Sequence, residues 1–414
     1  MLMAKAKLAI ISSYDELCGN ASYTKALADA LSEYYDVSVI SLNVELLREG
    51  SSKAVLLHVR EICEKVKSFD CVNIQFESGL FGTLPKDAKK TFFPIAESCK
   101  NLVITMHRYD PKMKYPRARV LLKSILKMQL RECLGSLFNT AMANKDSSVY
   151  DKVIKFCKKN KTPIIIHTQR HRKSISVGYN YELVFDHPLC FYNQSQIEAM
   201  QKQWTREKFC QKYNFPQDKI YIGIFGFISA YKGYETALKA LYHLPSNYHL
   251  VIFGNQHPHS IQINEQINPY IGLILKQIHK LKIKSRVQFC RIINDDDLLI
   301  ALSCCDFNLL PYLEVNQGGS GIAALSLETN SKAIFSQNKA FIELEKYAAN
   351  AFKMFAIGND IELANAILNY NEMNFVENLK KFHQKFNIQT SVNLYNRLLS
   401  RNYDIGAPEI KTSI

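Results

Sequence analysis

Residues 220–233 have the sequence Ile220-Tyr221-Ile222-Gly223-Ile224-Phe225-Gly226-Phe227-Ile228-Ser229-Ala230-Tyr231-Lys232-Gly233, and a helical pattern follows over residues 234–244. A short apolar run, a glycine-bounded turn and a segment of helical periodicity together predict a strand, a loop and a helix. In open α/β sheets, ligands bind outside the carboxyl ends of the strands. The loop that contains Lys232 is therefore the first place to look for chemistry.

The same alternation of strand and helix patterns runs through the whole chain. The strand candidates are Leu8–Ser12, Val37–Leu42, Cys71–Phe76, Leu102–Met106, Ile164–His167, Leu183–Phe185, Ile220–Phe225, Leu250–Phe253, Val287–Phe289, Phe307–Leu310, Ala333–Phe335 and Phe352–Phe355. Helix-length connections between them predict parallel strands. The expected fold is α/β, with two Rossmann-like, doubly wound parallel-sheet domains facing a central cleft. We expect one domain over residues 1–195 and the other over residues 196–384. A continuous helix is predicted over Asn374–Arg401, with the C-terminal helix in residues 385–414 packing back on the first domain.

Length and composition agree with two globular domains. The chain has 414 residues, of which 47% are hydrophobic, enough for two cores of ordinary size. No apolar run approaches the roughly 18 residues that a membrane span needs, and the first residues lack the pattern of a signal peptide. The 11 cysteines show no Cys-x-x-Cys spacing, which indicates reduced thiols. The expected location is the cytoplasm.

The positive charge is concentrated in one part of the sequence. The formal net charge is +14, and residues 108–173 alone hold 17 Lys and Arg against 4 Asp and Glu. This excess predicts an anionic partner at one face, whereas the alternative is a solvated cationic surface. Nucleic acid is unlikely because few aromatic residues accompany the basic ones. Every fourth residue is basic in Arg119, Lys123, Lys127 and Arg131, so an anionic membrane is the expected partner of this stripe.

A second loop carries the strongest local signal. Residues 311–321 follow a strand candidate and contain Gly318, Gly319, Ser320 and Gly321 directly before the helical run Ile322–Glu328. Glycines at the start of a helix offer free amide hydrogens, close backbone approach and a favourable dipole to phosphate oxygens. A purely structural glycine turn is the alternative.

These residues resemble a known family. The segments that carry the resemblance are Gly226-Phe227-Ile228, Tyr231-Lys232-Gly233, Val251-Ile252-Phe253-Gly254, Val287-Gln288-Phe289, Asp306, Pro311, the Gln317–Gly321 loop and Lys332-Ala333-Ile334. Their order and spacing over about residues 220 to 357 look like the donor domain of group 1 (family 4) glycosyltransferases of the GT-B architecture. The resemblance implies a retaining, metal-independent transfer from a UDP- or GDP-linked sugar, with Lys232 on the diphosphate. It further implies that His107 hydrogen-bonds the transferred sugar.

The sequence also departs from the family pattern. Phe227 stands where members commonly have arginine, and Gln317 and Leu325 stand where they have glutamates. Our hypothesis is that Glu314 supplies the missing carboxylate and Arg291 the missing cation. The predicted catalytic residues are therefore His107, Lys232 and Glu314. The predicted substrate-binding residues are Gly19, Glu77, Arg291, Gln317, Gly318, Gly319, Ser320 and Gly321.

Two functions remain open at the level of sequence. The first is a glycosyltransferase that uses a nucleotide-sugar as substrate, with no cofactor or metal ion, and a glycan, lipid-linked or lipopolysaccharide-type acceptor. The second is a non-catalytic protein on a degenerate GT-B scaffold that binds an anionic membrane or nucleic acid. The acidic run Asp295-Asp296-Asp297 is predicted to be the start of a helix rather than a metal site. Acidic side chains in the first turn cap the helix and interact favourably with the positive end of its dipole.

Overall fold

The structure is a computed structural model that describes residues 5–14, 19–111, 144, 147–254, 256, 268–291, 294–314, 318–371 and 373–402. The chain divides into two compact units. The first unit comprises Met1–His187 and Val392–Ile414, and the second comprises Pro188–Ser391. Among the described helices, none combines the length and the apolar character that crossing a membrane would require.

The first unit alternates strands and helices. Its described strands are β1 (Lys7–Ser12), β2 (Asp36–Ser41), β3 (Cys71–Phe76), β4 (Leu102–Met106), β5 (Ile164–Ile166) and β6 (Val184–Asp186). Its described helices are α1 (Gly19–Leu31), α2 (Val44–Glu49), α3 (Ser52–Val66), α4 (Pro85–Ser98), α5 (residues 147–160) and α6 (Gln169–Tyr179). Apolar faces of these helices cover the four inner strands β1, β3, β4 and β5, which are buried almost throughout, as expected of a parallel sheet covered on both faces. The edge strands β2 and β6 are partly exposed.

The second unit repeats this arrangement. Two helices lead into it, α7 (Gln194–Gln203) and α8 (Arg206–Tyr213). Its described strands are β7 (Ile220–Phe225), β8 (Tyr248–Phe253), β9 (Val287–Cys290), β10 (Phe307–Leu310), β11 (Ala333–Ser336) and β12 (Lys353–Phe355). The remaining described helices of this unit are α9 (Tyr234–His243), α10 (Pro269–Lys280), α11 (Asp295–Cys304), α12 (Gly321–Glu328), α13 (Lys339–Glu345), α14 (Asp360–Leu368) and α15 (Met373–Lys385). The last described helix, α16 (Ile388–Leu399), begins in the second unit and belongs to the first from Val392 onward.

Both sheets have six parallel strands. In the first unit the spatial order is β2-β1-β3-β4-β5-β6, and in the second it is β12-β11-β10-β7-β8-β9. Counted within its own unit, the second sheet has the order 3-2-1-4-5-6 of the dinucleotide-binding fold, whereas the first has a flavodoxin-like order. The expectation of two Rossmann-like α/β domains is thus confirmed.

Most predicted strands agree with the observed ones to within two residues, but the predicted continuous C-terminal helix is wrong. The chain breaks between α15 and α16 at Phe386 and Asn387. Asn387 causes the break because its side chain accepts a hydrogen bond from the Thr390 amide at 3.0 Å, while Thr390 Oγ1 accepts one from the Asn387 amide at 3.0 Å. This reciprocal pair starts a new helix in the manner of a capping box.

Two further features bear on the sequence predictions. Asp295-Asp296-Asp297 forms the first turn of α11, and the Asn294 side chain caps that helix through the Asp297 amide at 2.8 Å. The prediction that this acidic run starts a helix is therefore confirmed. Near the chain's end, Tyr395 of α16 belongs to the first unit, where it is fully buried and its hydroxyl lies 2.6 Å from Thr105 Oγ1.

Candidate functional site

The second sheet reverses its direction of strand addition between β7 and β10, which are neighbours in the sheet although far apart in sequence. At such a switch point the loops after the two strands diverge and leave a crevice for a ligand. The loop after β7 is residues 226–233, and the loop after β10 is residues 311–320. Topology therefore brings together the two loops that the sequence singles out separately.

The loop after β7 has a backbone that two glycines make possible. Gly226 has φ +89° and Gly233 has φ +69°, both in the region that side chains disfavour. A Cβ on Gly233 would lie 2.0 Å from the carbonyl oxygen of Pro311. The two loops of the crevice are thus in direct backbone contact, and Gly233 is the residue that permits it.

Lys232 lies in the loop after β7 and is almost completely buried, with 4% of its surface exposed. Its ammonium group donates to the Phe225 carbonyl at 2.6 Å and to the Tyr312 hydroxyl at 3.2 Å. Within the described residues it has no carboxylate partner. Burial lowers its pKa, since removal from water disfavours the charged form. Lys232 Nζ also lies over the rings of Tyr231 and Tyr312, at 5.8 and 5.1 Å from their centroids. A buried cation that has only neutral partners among the described residues is expected to attract an anion.

The loop after β10 continues directly into α12. Ser320 is the N-cap of α12, and its hydroxyl accepts from the Ala323 amide at 3.3 Å. The same serine side chain hydrogen-bonds the phenol of Tyr312, the residue that contacts Lys232. Gly318 is buried, whereas Gly319, Ser320 and Gly321 are partly exposed. Lys232, Tyr312 and the start of α12 therefore form one connected group that presents a cation and amide donors.

Of the other residues predicted for the second unit, the structure describes Glu314 and Arg291. Glu314 is exposed and its carboxylate lies 3.8 Å from Lys339 Nζ. Arg291 is exposed and follows β9, the edge strand of the sheet. Gln317 lies outside the described residues. That Glu314 and Arg291 replace missing family residues stays a prediction.

A buried carboxylate in the second unit was missed by the sequence reasoning. Glu328 ends α12 with 3% of its surface exposed, and one of its oxygens accepts from the amides of Phe191 at 2.7 Å and Tyr192 at 3.4 Å. Burial raises its pKa to about 8, although the two amide hydrogen bonds act in the opposite direction. The Phe191 ring in turn would contact a Cβ placed on Gly321, at 3.3 Å. The available signal was an acid directly after Ile322–Leu327, a run that is apolar except for Ser326.

In the first unit, the predicted residues Gly19 and Glu77 lie near the other switch point. This sheet changes direction between β1 and β3. Gly19 begins α1 after β1, and a Cβ at this position would meet no heavy atom within 4 Å. Glu77 follows β3 and accepts a hydrogen bond from Asn20 at 2.9 Å. The start of α1 and the end of β3 are thus joined by a polar contact.

His107 follows β4, and both of its ring nitrogens already have partners. Nε2 lies 2.7 Å from Gln75 Oε1, and Nδ1 lies 3.2 Å from His167 Nε2. Burial lowers the pKa of His107 to about 4. A ring nitrogen of His107 could contact a ligand only if one of these contacts opened. Within the described residues, no group of three or more His, Cys, Asp or Glu side chains could hold a metal ion.

The chain was compared with protein families, curated sequences and solved structures. No protein-family model and no curated protein sequence matches the chain. Solved structures match over nearly its full length. HepE from Anabaena, in complex with UDP and glucose, matches 96% of this chain and 100% of its own, with 12% identity and a TM-score of 0.63.

Two other solved structures give the same result. Sucrose-phosphate synthase from Thermosynechococcus elongatus matches 96% of this chain and 99% of its own, with 14% identity and a TM-score of 0.65. WaaG, a glycosyltransferase involved in lipopolysaccharide biosynthesis, matches 95% of this chain and 99% of its own, with 14% identity and a TM-score of 0.59. At such identities the likeness establishes the fold, so the chain has the two-domain α/β fold of the GT-B glycosyltransferases.

Proposed function

We propose that this protein is a glycosyltransferase that transfers a sugar from a nucleotide-sugar to an acceptor oxygen. The observation that carries the proposal is Lys232, a buried ammonium group without a carboxylate partner in the described residues, at the switch point of the second sheet. The solved structures of similar fold include HepE in complexes with UDP and with UDP-glucose. A diphosphate at Lys232 would supply the missing negative charge.

The arrangement suits a reaction in which a diphosphate leaves. When the bond from the sugar carbon to the diphosphate oxygen breaks, negative charge grows on the phosphate oxygens. Lys232 and the amides at the start of α12 would stabilise that charge, and groups that are already oriented do so most effectively. Because a protein cation can meet this need, we propose that no metal ion is required. Retention of configuration at the sugar carbon is proposed from the family resemblance.

The finer features of the proposal concern donor, acceptor and location. UDP is the first donor nucleotide to test, with GDP as the alternative. For the acceptor we propose a glycan or a lipid-linked, lipopolysaccharide-type molecule. We further propose that the enzyme works in the cytoplasm, docked on the inner membrane face through Arg119, Lys123, Lys127 and Arg131, which lie outside the described residues.

The function is tested by binding and by turnover. Thermal shifts would be measured with UDP, GDP, ADP, CMP and their sugar conjugates. A ligand that binds only the native state adds about 2.7 kcal/mol of stability at a hundredfold excess over its Kd. Lys232→Ala should remove this response and reduce turnover by about 10²- to 10³-fold. Lys239→Ala is the matched control, because Lys239 is an exposed lysine on the adjoining α9. No response to any nucleotide would favour the rival function of a binding protein.

Membrane docking has a separate test. Changing Lys123, Lys127 and Arg131 together to Glu should abolish sedimentation with anionic vesicles, since each cation contributes about 1 kcal/mol near such a surface. Nucleotide binding should be unchanged in the same variant. If the variant sediments as the parent protein does, the basic stripe is a solvated surface and the acceptor is held elsewhere.

A further inference from the structure

The first unit contains a buried chain of hydrogen bonds that runs across the ends of four strands. It begins at Asn73 and Gln75 on β3, continues through His107 after β4 and His167 after β5, and ends at the backbone carbonyl of His187 after β6. We call His107 and His167 the histidine pair. Their ring centroids are 5.1 Å apart, and the edge of Tyr23 packs against both rings.

The orientation of the two amide side chains in this network is fixed from one end. The Asn73 side-chain nitrogen donates to the Val103 backbone carbonyl at 3.1 Å, and this carbonyl can only accept. The Asn73 oxygen therefore faces Gln75 and must receive a hydrogen from Gln75 Nε2, 2.5 Å away. This leaves Gln75 Oε1 directed at His107 Nε2 as an acceptor. At the opposite end, His167 Nδ1 lies 3.0 Å from the His187 carbonyl, which also only accepts.

The histidine pair thus lies between two fixed acceptors and makes three short contacts. These contacts are Gln75 Oε1 to His107 Nε2 at 2.7 Å, His107 Nδ1 to His167 Nε2 at 3.2 Å, and His167 Nδ1 to the His187 carbonyl at 3.0 Å. Each contact needs one hydrogen, so the complete chain needs three. Two neutral imidazoles carry only two N–H hydrogens. One contact therefore remains without a hydrogen until the pair takes up one more proton.

The surroundings determine when that proton can be held. Burial lowers the pKa of both histidines, and for His167 the neighbouring His107, His187 and His171 act in the same direction. The titratable side chains that face the pair are Tyr23 from α1, His171 from α6 and His187 after β6, while Tyr395 from α16 reaches Gln75. None of these facing groups is a carboxylate. The counter-charge for a protonated pair must then come from a ligand.

We propose that the histidine pair is a proton-coupled anion site: a phosphate group that binds beside His107 compensates the charge of one added proton, while the contacts of both His107 ring nitrogens stay closed. His107 is the more accessible member of the pair, being only partly buried, and it is followed by the half-exposed Arg108, whose guanidinium forms an ion pair with Asp110 at 2.7 Å. The phosphate could belong to an acceptor or to a nucleotide. His167 acts as a positioning residue, since it completes the hydrogen-bond chain and shares the proton without contact with the ligand. This site lies in the first unit and does not depend on Lys232.

The test counts protons. Calorimetric titrations with inorganic phosphate and with UDP would be run in two buffers of different ionisation enthalpy. We expect uptake of about one proton per bound phosphate, and a phosphate Kd that rises about tenfold per pH unit above the pKa of the pair. His167→Gln should abolish both effects, because a glutamine amide can donate to His107 Nδ1 without extra protonation. His243→Gln is the control, since His243 is exposed on α9 and pairs with Asp360.

The two probes and a second variant separate the sources of the anion. Proton uptake with inorganic phosphate should persist in Lys232→Ala, because the histidine pair does not involve Lys232. This result is expected whether or not the protein transfers a sugar. Uptake with UDP alone would identify the anion as a nucleotide phosphate. If His167→Gln does not fold, 15N shifts of the imidazole nitrogens in the parent protein should show an added N–H on phosphate binding. Absence of proton uptake with both probes, or an unchanged uptake in folded His167→Gln, overturns the proposal.

Discussion

At the scale of single residues, Lys232 shows a conflict between stability and function. A buried ammonium group that lacks a carboxylate partner in the described residues is costly to keep out of water, and its two neutral acceptors compensate only in part. Such residues are expected where a ligand later supplies the opposite charge. A lysine with a ligand-directed role and a purely structural lysine should therefore respond differently to substitution.

Lys232→Met should stabilise the ligand-free protein by on the order of 1 kcal/mol, because methionine fills similar space without a charge to desolvate. The same variant should lose its stabilisation by UDP. Urea unfolding with and without UDP measures both effects. Lys239→Met, at an exposed position of α9, should change neither. A ligand-free Lys232→Met protein that is clearly less stable than the parent would contradict a ligand-directed role for the ammonium group.

Glu328 allows a prediction about pH. Its folded-state pKa is raised from 4.5 to about 8 by burial, so between these values the folded protein binds more protons than the unfolded chain. The free energy of unfolding should then fall as pH rises through this window, by up to about 1.4 kcal/mol per pH unit. Glu328→Gln cannot titrate and should be more stable than the parent at pH 8, while differing little near pH 5.

Urea unfolding between pH 5 and pH 9 tests this difference. Glu343→Gln is a useful contrast, because Glu343 is equally buried but forms an ion pair with Lys346. Its substitution should destabilise the protein at neutral pH by breaking that pair. If the parent and Glu328→Gln keep a constant difference across the whole pH range, Glu328 is not held in the neutral form.

Residue-scale features divide clearly into those that sequence can reveal and those that it cannot. Lys232 and the glycines of residues 318–321 are recognisable because loops after strands and before helices have a known role in this fold class. The burial of Glu328 is not recognisable, since an acid at a helix end is usually solvated. Likewise, the positions of His107 and His167 at strand ends are visible in the sequence, but the engagement of their ring nitrogens with each other is a tertiary contact.

At the scale of secondary-structure elements, strands were predicted more accurately than helices. A buried parallel strand is a short apolar run, and the inner strands follow that pattern, as β1, β4, β7 and β8 show. The edge strands β2, β9 and β12 are partly exposed. Helix breaks depend on individual caps. The pattern Phe375, Leu379, Phe382 and Phe386 continues up to the end of α15, so periodicity does not reveal that Asn387 ends one helix and starts the next.

The contact between the two crevice loops gives a prediction at this scale. Gly233→Ala should destabilise the protein by about 1–3 kcal/mol from backbone strain alone, because φ is +69°. The clash of the new Cβ with the Pro311 carbonyl oxygen, 2.0 Å away, should add to this loss. Displacement of Pro311 should also weaken UDP binding. Gly272→Ala is the matched control, as Gly272 lies within α10 with open space around its Cβ position. That control should stabilise by about 0.5–1 kcal/mol, and thermal unfolding measures both variants.

A Gly233→Ala protein as stable as the parent would show that the loops can separate without cost. The geometry of the crevice would then be adjustable rather than fixed before the ligand binds.

At the scale of the whole molecule, the chain has two compact units with separate cores. The core of the first unit draws on residues from Ala9 to Val184, and the core clusters of the second on residues from Ile222 to Phe382. Composition and strand count predict two domains of this fold. The boundary at residues 391–392 falls inside α16, which no change in composition marks.

Separate cores predict that the two units respond separately to ligands. In differential scanning calorimetry we expect two overlapping transitions, because chains with more than one domain commonly depart from two-state unfolding. Saturating UDP should raise the transition temperature of the second unit, which contains Lys232. Binding adds about 2.7 kcal/mol to the free energy of unfolding of that unit at a hundredfold excess over Kd. Gly233→Ala should lower the temperature of the same transition, which assigns that transition to the second unit. His167→Gln should affect the other transition. A single transition that both variants and UDP move together would contradict independent unfolding and would mean that the two cores melt as one cooperative unit.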